Sequence, residues 1–225
     1  MIKLVSFEIC PFVQRVTGML AAKNVGYDIE YIQLNAKSKW FLDISPIGQV
    51  PVLITEEGEA LHESDAIVEY IEEITEPLIA GLNPIQRAKD RAWSYQASKH
   101  YLAQCSAMQS EDKETLIKKM VNLSKAFGKA EKQFGEGPFF NGQVMGNVDI
   151  AWLPLLHRAL LVKDHSGYDM LELFPKISAW QKSMMKTGLP DKTVSEDFLE
   201  KFHRFYLTKE TFLGRGADFN ENYVP

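Results

Sequence analysis

The segment EICPFVQRV, residues 8–16, sets a thiol, Cys10, directly before Pro11, where a short apolar run gives way to helical spacing. Two readings of such a cysteine compete. Buried, it is a small hydrophobe with little chemistry. At a helix N-terminus its sulfur faces backbone N–H groups that lack intrahelical partners, together with the positive dipole end. Both favour the thiolate and bring the pKa below the free value of about 8.5. A dipole contribution near 1 kcal/mol supplies less than one pKa unit, so direct N–H···S⁻ bonds must supply the rest. Position 13 is Val, so there is no C-x-x-C pair. The chemistry of Cys10 is then monothiol, and a soluble thiol must resolve any mixed disulfide.

Two further stretches carry polar groups suited to a ligand. In QVP, Gln49-Val50-Pro51, the proline suits the start of an edge strand. A cis bond before Pro51 instead turns the backbone polar groups of Val50 toward a neighbouring site, where they can pair with an extended peptide. In HESDAI, residues 62–67, Ser64 reads as a helix N-cap worth about 1 kcal/mol. A hydroxyl among free N–H groups is also an anion seat, and Glu63 beside it can meet an amino group, so the pair suits a zwitterionic amino-acid end. The sequence leaves both pairs of alternatives open. The five histidines and Cys105 show no metal-ligand spacing. No Ser-His-Asp arrangement or Gly-rich phosphate loop is present, and the four tryptophans read as helix-packing residues.

The elements that must position these residues follow from the hydrophobic pattern. IKLVSF (2–7) is a short β-prone run, and Phe12, Val16, Met19 and Leu20 recur at helical spacing from Pro11 to about Asn24, with Gly26 closing the helix. YDIEYIQL (27–34) alternates as a second strand, which makes a βαβ unit with a parallel pair. After a short helix or loop ending at Pro46, VPVLIT and EALH flank a Glu-Glu-Gly turn as an antiparallel hairpin, and a helix begins near Ser64. Strand alternation then disappears. Helices are expected over 84–104, 113–134, 148–162, 175–187 and 195–207, with GRGADFNENYVP as an extended tail. The reading is an α/β domain over residues 1–77 in the order βαβαββα, a linker at 78–83, and an all-α domain over 84–225.

The 225 residues are 45% hydrophobic and 24% charged, ordinary for a soluble globular protein. A net charge of −5 leaves no basic footprint for nucleic acid and no polybasic segment for an anionic membrane. The opening MIKLVSFEICPF does not read as a signal peptide, because Glu8 and Pro11 interrupt its apolar stretch. Two cysteines far apart in the chain do not make a disulfide framework, so a reduced, cytoplasmic protein is expected.

CPF-x-QR, then a Val-Pro pair, then Glu-Ser opening a helix, followed by an all-helical half, resembles the cytosolic glutathione transferases over nearly the whole chain. A Cys at the active position and the run KSKWFLDISPIGQVPVLITEEGEALHESDAIVEYIEE are similar to the cysteine-type branch, the omega-like transferases and plant dehydroascorbate reductases. The resemblance implies a thioredoxin-like N-terminal domain and glutathione as cosubstrate, with no metal. Cys10 then forms a mixed disulfide with glutathione, and Phe12 is the aromatic beside it. Lys37 faces the glycyl carboxylate, the backbone of Val50 before cis-Pro51 pairs with the cysteinyl part, and Glu63 with Ser64 holds the γ-glutamyl end. The resemblance also implies a homodimer. One departure stands out: where most relatives cap a core helix with Ser or Thr three residues before an Asp, Gly146 precedes Asp149 here. Gly costs only a few tenths of a kcal/mol relative to Ser at a cap.

The expected function is a glutathione-dependent thiol transferase or reductase acting on a disulfide, dehydroascorbate or a related small substrate. Conventional conjugation is expected to be weak, because a thiolate forms a disulfide where a hydroxyl only donates a hydrogen bond. Two rivals share the pattern. One is a non-catalytic binding or regulatory protein on the same fold. The other is an intracellular chloride-channel-like protein, disfavoured because residues 11–30 carry Gln14, Arg15, Lys23, Asn24, Asp28 and Glu30.

Overall fold

β1 (Ile2–Ser6) buries Ile2, Leu4 and Val5 and stands at the centre of a mixed sheet. The computed structural model describes residues 1–33 and 35–219. α1 (Pro11–Ala22) crosses over to β2 (Tyr27–Tyr31), which lies parallel to β1 with Ile2 opposite Tyr27. α2 (Lys39–Ile44) leads to β3 (Val52–Ile54) and β4 (Ala60–His62), an antiparallel hairpin, and then to α3 (Ser64–Glu73). β3 also pairs antiparallel with β1, Leu4 opposite Leu53, so the strand order is β2-β1-β3-β4. This is the βαβαββα thioredoxin-like arrangement.

α1 ends differently from expectation. Asn24, not Gly26, takes the left-handed position with φ 55°, and the Val25 N–H returns to the Leu20 carbonyl at 2.9 Å. Asn tolerates that backbone because its short side chain bonds locally. The second strand ends at Tyr31, short of the expected residue 34. Leu34 lies outside the described residues.

The remainder is helical. Asn83 and Gln86 form a reciprocal capping box, both bonds 2.9 Å, that starts α4 (Pro84–Ser98). The single helix expected over 84–104 is two, because α5 (Tyr101–Met108) starts afresh after a break at Lys99–His100. The halves answer to different partners: the Ser98 hydroxyl reaches Asp65 of α3 at 3.3 Å, whereas the Tyr101 hydroxyl donates to the Ala151 carbonyl. α6 (Lys113–Gln133), α7 (Asn147–Ser166), α8 (Pro175–Lys186), α9 (Leu189–Lys192) and α10 (Phe198–Tyr206) complete the set. The chain after α10 is not an extended tail over its described part: Leu213–Phe219 forms a 3-10 segment kinked at Gly216, and residues 220–225 lie outside the described residues.

α7 is the axis of the helical half and the element that joins it to the sheet. Ile150, Leu153 and Leu156 are wholly buried, and Gly18 lets α7 approach α1, since a Cβ there would lie 3.2 Å from Ile150 Cγ2. One continuous apolar core thus runs from Leu4 and Val16 through Trp152 and Trp180 to Phe202. At the start of α7 the Asp149 carboxylate accepts from the N–H groups of Gly146 (2.8 Å) and Phe140 (2.9 Å) and from Trp180 Nε1 (2.7 Å). Gly146 has its own reason to lack a side chain: a Cβ would lie 2.7 Å from Ile79 Cδ1, in the segment between α3 and α4.

Candidate active site

Cys10 is the N-cap of α1, with extended backbone at φ −72° and ψ 123°. Its N–H donates to the Phe7 carbonyl at 3.1 Å and its carbonyl accepts from the Gln14 N–H at 3.0 Å, while Pro11 occupies the first helical position at no hydrogen-bond cost. Desolvation dominates the sulfur and pushes its pKa up to about 11, although the N–H groups of Val13 and Phe12 and the charge of Arg158 all pull it down. The lowered value expected from the helix end alone is therefore not what the fold produces. The packing that brings donors to the sulfur also takes away its water.

A cleft of about 300 Å³ opens beside Cys10 and Phe12. Gln49, Val50 and Pro51, Lys37, and Glu63 with Ser64 line it as well. Each residue singled out from the sequence as catalytic or glutathione-binding lines this one cavity. Their elements explain how. The Val50–Pro51 bond is cis, and β3 starts only at Val52, so Val50 lies outside the ladder. The preceding turn is held by Ser45, whose hydroxyl donates to the Gln49 carbonyl at 2.9 Å and accepts from its N–H at 3.0 Å. Gly48 has φ 61°, and a Cβ on it would lie 3.4 Å from Lys37 Nζ, so the bare backbone leaves room for that lysine chain.

Ser64 is not the N-cap of α3 but its first residue, and Glu63 takes the cap with φ 68° and ψ 114°. A non-glycine residue rarely adopts that backbone. Here it brings Glu63 to the surface while Ser64 is only 4% exposed, so both flank the N–H groups of the α3 terminus. The first turn carries Asp65, which pairs with Arg15 of α1, 2% exposed. Arg15 thereby ties the helix bearing Cys10 to the helix bearing Ser64.

Four cleft residues escaped the sequence reading: Ile47, Gly48, His62 and Leu102. Gly48 and His62 adjoin predicted positions, and Ile47 lies two residues before Gln49. Leu102, from α5, had no signal beyond being an apolar residue on a helix, and it is 65% exposed. A polar network behind Cys10 was also missed. Gln14 donates to Thr193 Oγ1 at 3.1 Å, lies 2.9 Å from His157 Nδ1, and accepts from Arg158. Arg158 is wholly buried and donates to the Ile9 carbonyl at 2.9 Å. Its charge inside the apolar run IAWLPLLHRALLV was the available clue. His157, packed on Phe198 with ring centroids 5.6 Å apart, is held neutral because burial lowers its pKa to about 3.

Among the described residues no group of His, Cys, Asp and Glu is arranged to hold a metal, and no helix is long and apolar enough to cross a membrane. Two acids after Ser64 are half-buried and paired, Glu69 with Arg91 of α4 and Glu72 with the buried Lys23 side chain.

Comparison with known proteins bears on what this cleft serves. Residues 9–74 match the family model described as "Glutathione S-transferase, N-terminal domain", and residues 99–193 match "Glutathione S-transferase, C-terminal domain". The chain is 34% identical over 214 residues to glutathione S-transferase U8 of Arabidopsis thaliana, covering 85% of this chain and 90% of the relative. It is 30% identical over 176 residues to the probable glutathione S-transferase DHAR1, cytosolic, of Oryza sativa subsp. japonica, covering 78% and 79%. The crystal structure of glutathione transferase Omega 3C from Trametes versicolor superposes with a TM-score of 0.74 at 25% identity, covering 87% of this chain and 89% of that one. Fold, motif order and these matches agree, and the chain belongs to the glutathione S-transferase family.

Proposed function

We propose that the protein is a glutathione-dependent thiol transferase or reductase working through a mixed disulfide on Cys10, with weak conventional conjugation. The observation that carries this reading is the composition of the cleft: at its sulfur-bearing wall stands a cysteine, with the N–H groups of Phe12 and Val13 directed at it. In deglutathionylation the Cys10 thiolate attacks the glutathionyl sulfur of a mixed disulfide. The Cys10–glutathione S–S bond forms, the S–S bond between substrate and glutathione breaks, and the released substrate thiolate takes up the proton that Cys10 gave up. A second glutathione thiolate then attacks the glutathionyl sulfur on Cys10, giving oxidised glutathione and free Cys10. Reduction of dehydroascorbate takes the same two electrons and two protons from Cys10 and glutathione, and ends at the same mixed disulfide.

The glutathione roles follow the chemistry of each group. The Lys37 ammonium meets the glycyl carboxylate, and the Val50 backbone pairs with the cysteinyl part as a short strand addition, flanked by Gln49 and Pro51. The Glu63 carboxylate takes the γ-glutamyl ammonium, while the Ser64 hydroxyl and helix N–H groups take its carboxylate. Phe12 shields the sulfur. The reading extends to a cytoplasmic homodimer without nucleic-acid or membrane partners, with domains at 1–77 and 84–225 joined by residues 78–83.

Intact-protein mass spectrometry after brief exposure to oxidised glutathione, with peptide mapping, tests the centre of this reading. One glutathione on Cys10, removed by reduced glutathione, is expected. The Cys10→Ala variant should lose thiol transfer and keep its affinity for immobilised glutathione. An unmodified Cys10 in folded protein gives the lead to the non-catalytic binding reading on the same fold.

A further inference from the structure

α6 inverts the charge of the chain. The protein as a whole carries a net charge of −5, yet α6 holds six lysines against two glutamates. Lys125 and Lys129 stand one turn apart on it, a spacing at which like charges weaken a helix. Lys99, at the break between α4 and α5, lines the same groove as both of them. Elsewhere Lys3, Lys23, Lys39, Lys163 and Lys201 each have a carboxylate partner. Lys99, Lys125 and Lys129 have none among the described residues.

The groove consists of two adjoining cavities of about 260 and 290 Å³ that share Gln96, Ala126 and Lys129. Its two ends differ in chemistry. At one, the indole of Trp93 stands with the small side chains of Ala92 and Ala126. At the other, Lys99, Lys125 and His100 are joined by the amides of Gln96 and Asn122. The Nδ1–H of His100 donates to the Gln96 carbonyl at 2.6 Å, which holds that ring in place. Among the described residues no carboxylate lines either end. The groove shares no residue with the cleft at Cys10, and α5 divides them, with Leu102 in the cleft and Ala103 in the groove.

We propose that this groove binds a small polyanion with a flat ring at one end, of the size and charge of a nucleoside triphosphate. The phosphates lie among Lys99, Lys125 and Lys129, whose ammonium groups donate charge-assisted hydrogen bonds to their oxygens. An anion there also relieves the repulsion between Lys125 and Lys129. The ring lies beside Trp93 over Ala92 and Ala126, where small side chains leave room for a flat surface and the indole offers an aromatic partner. The site stands on no part of the thiol chemistry.

Isothermal titration calorimetry on the full chain, in buffer free of divalent cations, tests it with three probes. Adenosine triphosphate should bind once per chain, and more weakly as salt is raised. Inorganic triphosphate should bind more weakly than adenosine triphosphate, and adenosine should not bind measurably. Lys125→Gln with Lys129→Gln, exposed positions at which glutamine keeps the helix, should weaken adenosine triphosphate by at least about tenfold. Lys118→Gln with Lys132→Gln removes the same charge from α6 outside the groove and should change affinity less than about twofold. Equal losses in the two pairs overturn the site, because diffuse charge would then suffice. Inorganic triphosphate binding as tightly as adenosine triphosphate overturns the ring end at Trp93. No binding by wild type, with self-association that the Lys125 and Lys129 pair abolishes, overturns the ligand and makes the groove a contact between copies of the chain.

Discussion

Arg158 of α7 donates a 2.9 Å hydrogen bond to the carbonyl of Ile9, the residue immediately before Cys10. The contact crosses 149 residues of sequence and brings a wholly buried positive charge behind the site. It opposes the desolvation that keeps Cys10 protonated. The helical half therefore shapes the chemistry of the sheet half from behind, while the cleft in front receives the ligand.

Cys10 reactivity should report this balance. With its pKa pushed up to about 11, the thiolate is a minor species at neutral pH and grows as pH rises. Alkylation of Cys10 by iodoacetamide should accelerate about tenfold per pH unit between roughly pH 6 and pH 9, because the thiolate is the nucleophile. Arg158→Met should slow it at every pH by removing the charge that favours the thiolate. A plateau reached below pH 7 would show that the helix-end donors outweigh burial.

Glu63 sits at φ 68° and ψ 114°, where glycine is at ease and a side chain is not. Backbone strain of this kind costs on the order of 1–3 kcal/mol. Glu63→Gly should raise the urea midpoint of unfolding and, on the proposed function, weaken glutathione binding by removing the carboxylate. Glu63→Ala should weaken binding without the gain in stability. If Glu63→Gly binds glutathione as wild type does, the carboxylate has no part in holding it.

Gly146→Ser would restore the expected capping hydroxyl, worth only a few tenths of a kcal/mol over glycine. Its Cβ would lie 2.7 Å from Ile79 Cδ1, closer than side chains tolerate. The single variant should therefore lose stability, by up to about 1 kcal/mol, since the half-buried Ile79 end can partly give way. Adding Ile79→Val should recover part of it. A double-mutant cycle by urea unfolding measures the coupling, and simple additivity of the two changes would remove Ile79 as the reason for the glycine.

Much of this protein follows from local pattern. The β-prone run at IKLVSF, the alternation at YDIEYIQL, the helical spacing after Pro11 and the Glu-Glu-Gly turn specify βαβ and hairpin units, because side-chain direction alternates along a strand and recurs every turn along a helix. The same locality made Cys10, Val50, Pro51, Glu63 and Ser64 visible, since each stands at the start or end of an element. What local pattern does not carry is water and distance. The helix end at Cys10 promised a lowered pKa, and burial under the helical half reversed it. The helix read across residues 84–104 broke at Lys99–His100 because Ser98 and Tyr101 answer to partners in α3 and α7. Gly26 looked like the stop for α1, yet Asn24 took the left-handed turn. That Leu102 and Arg158 stand beside Cys10 was decided only when α5 and α7 packed on α1, since both are more than ninety positions away and no period in the chain encodes that meeting.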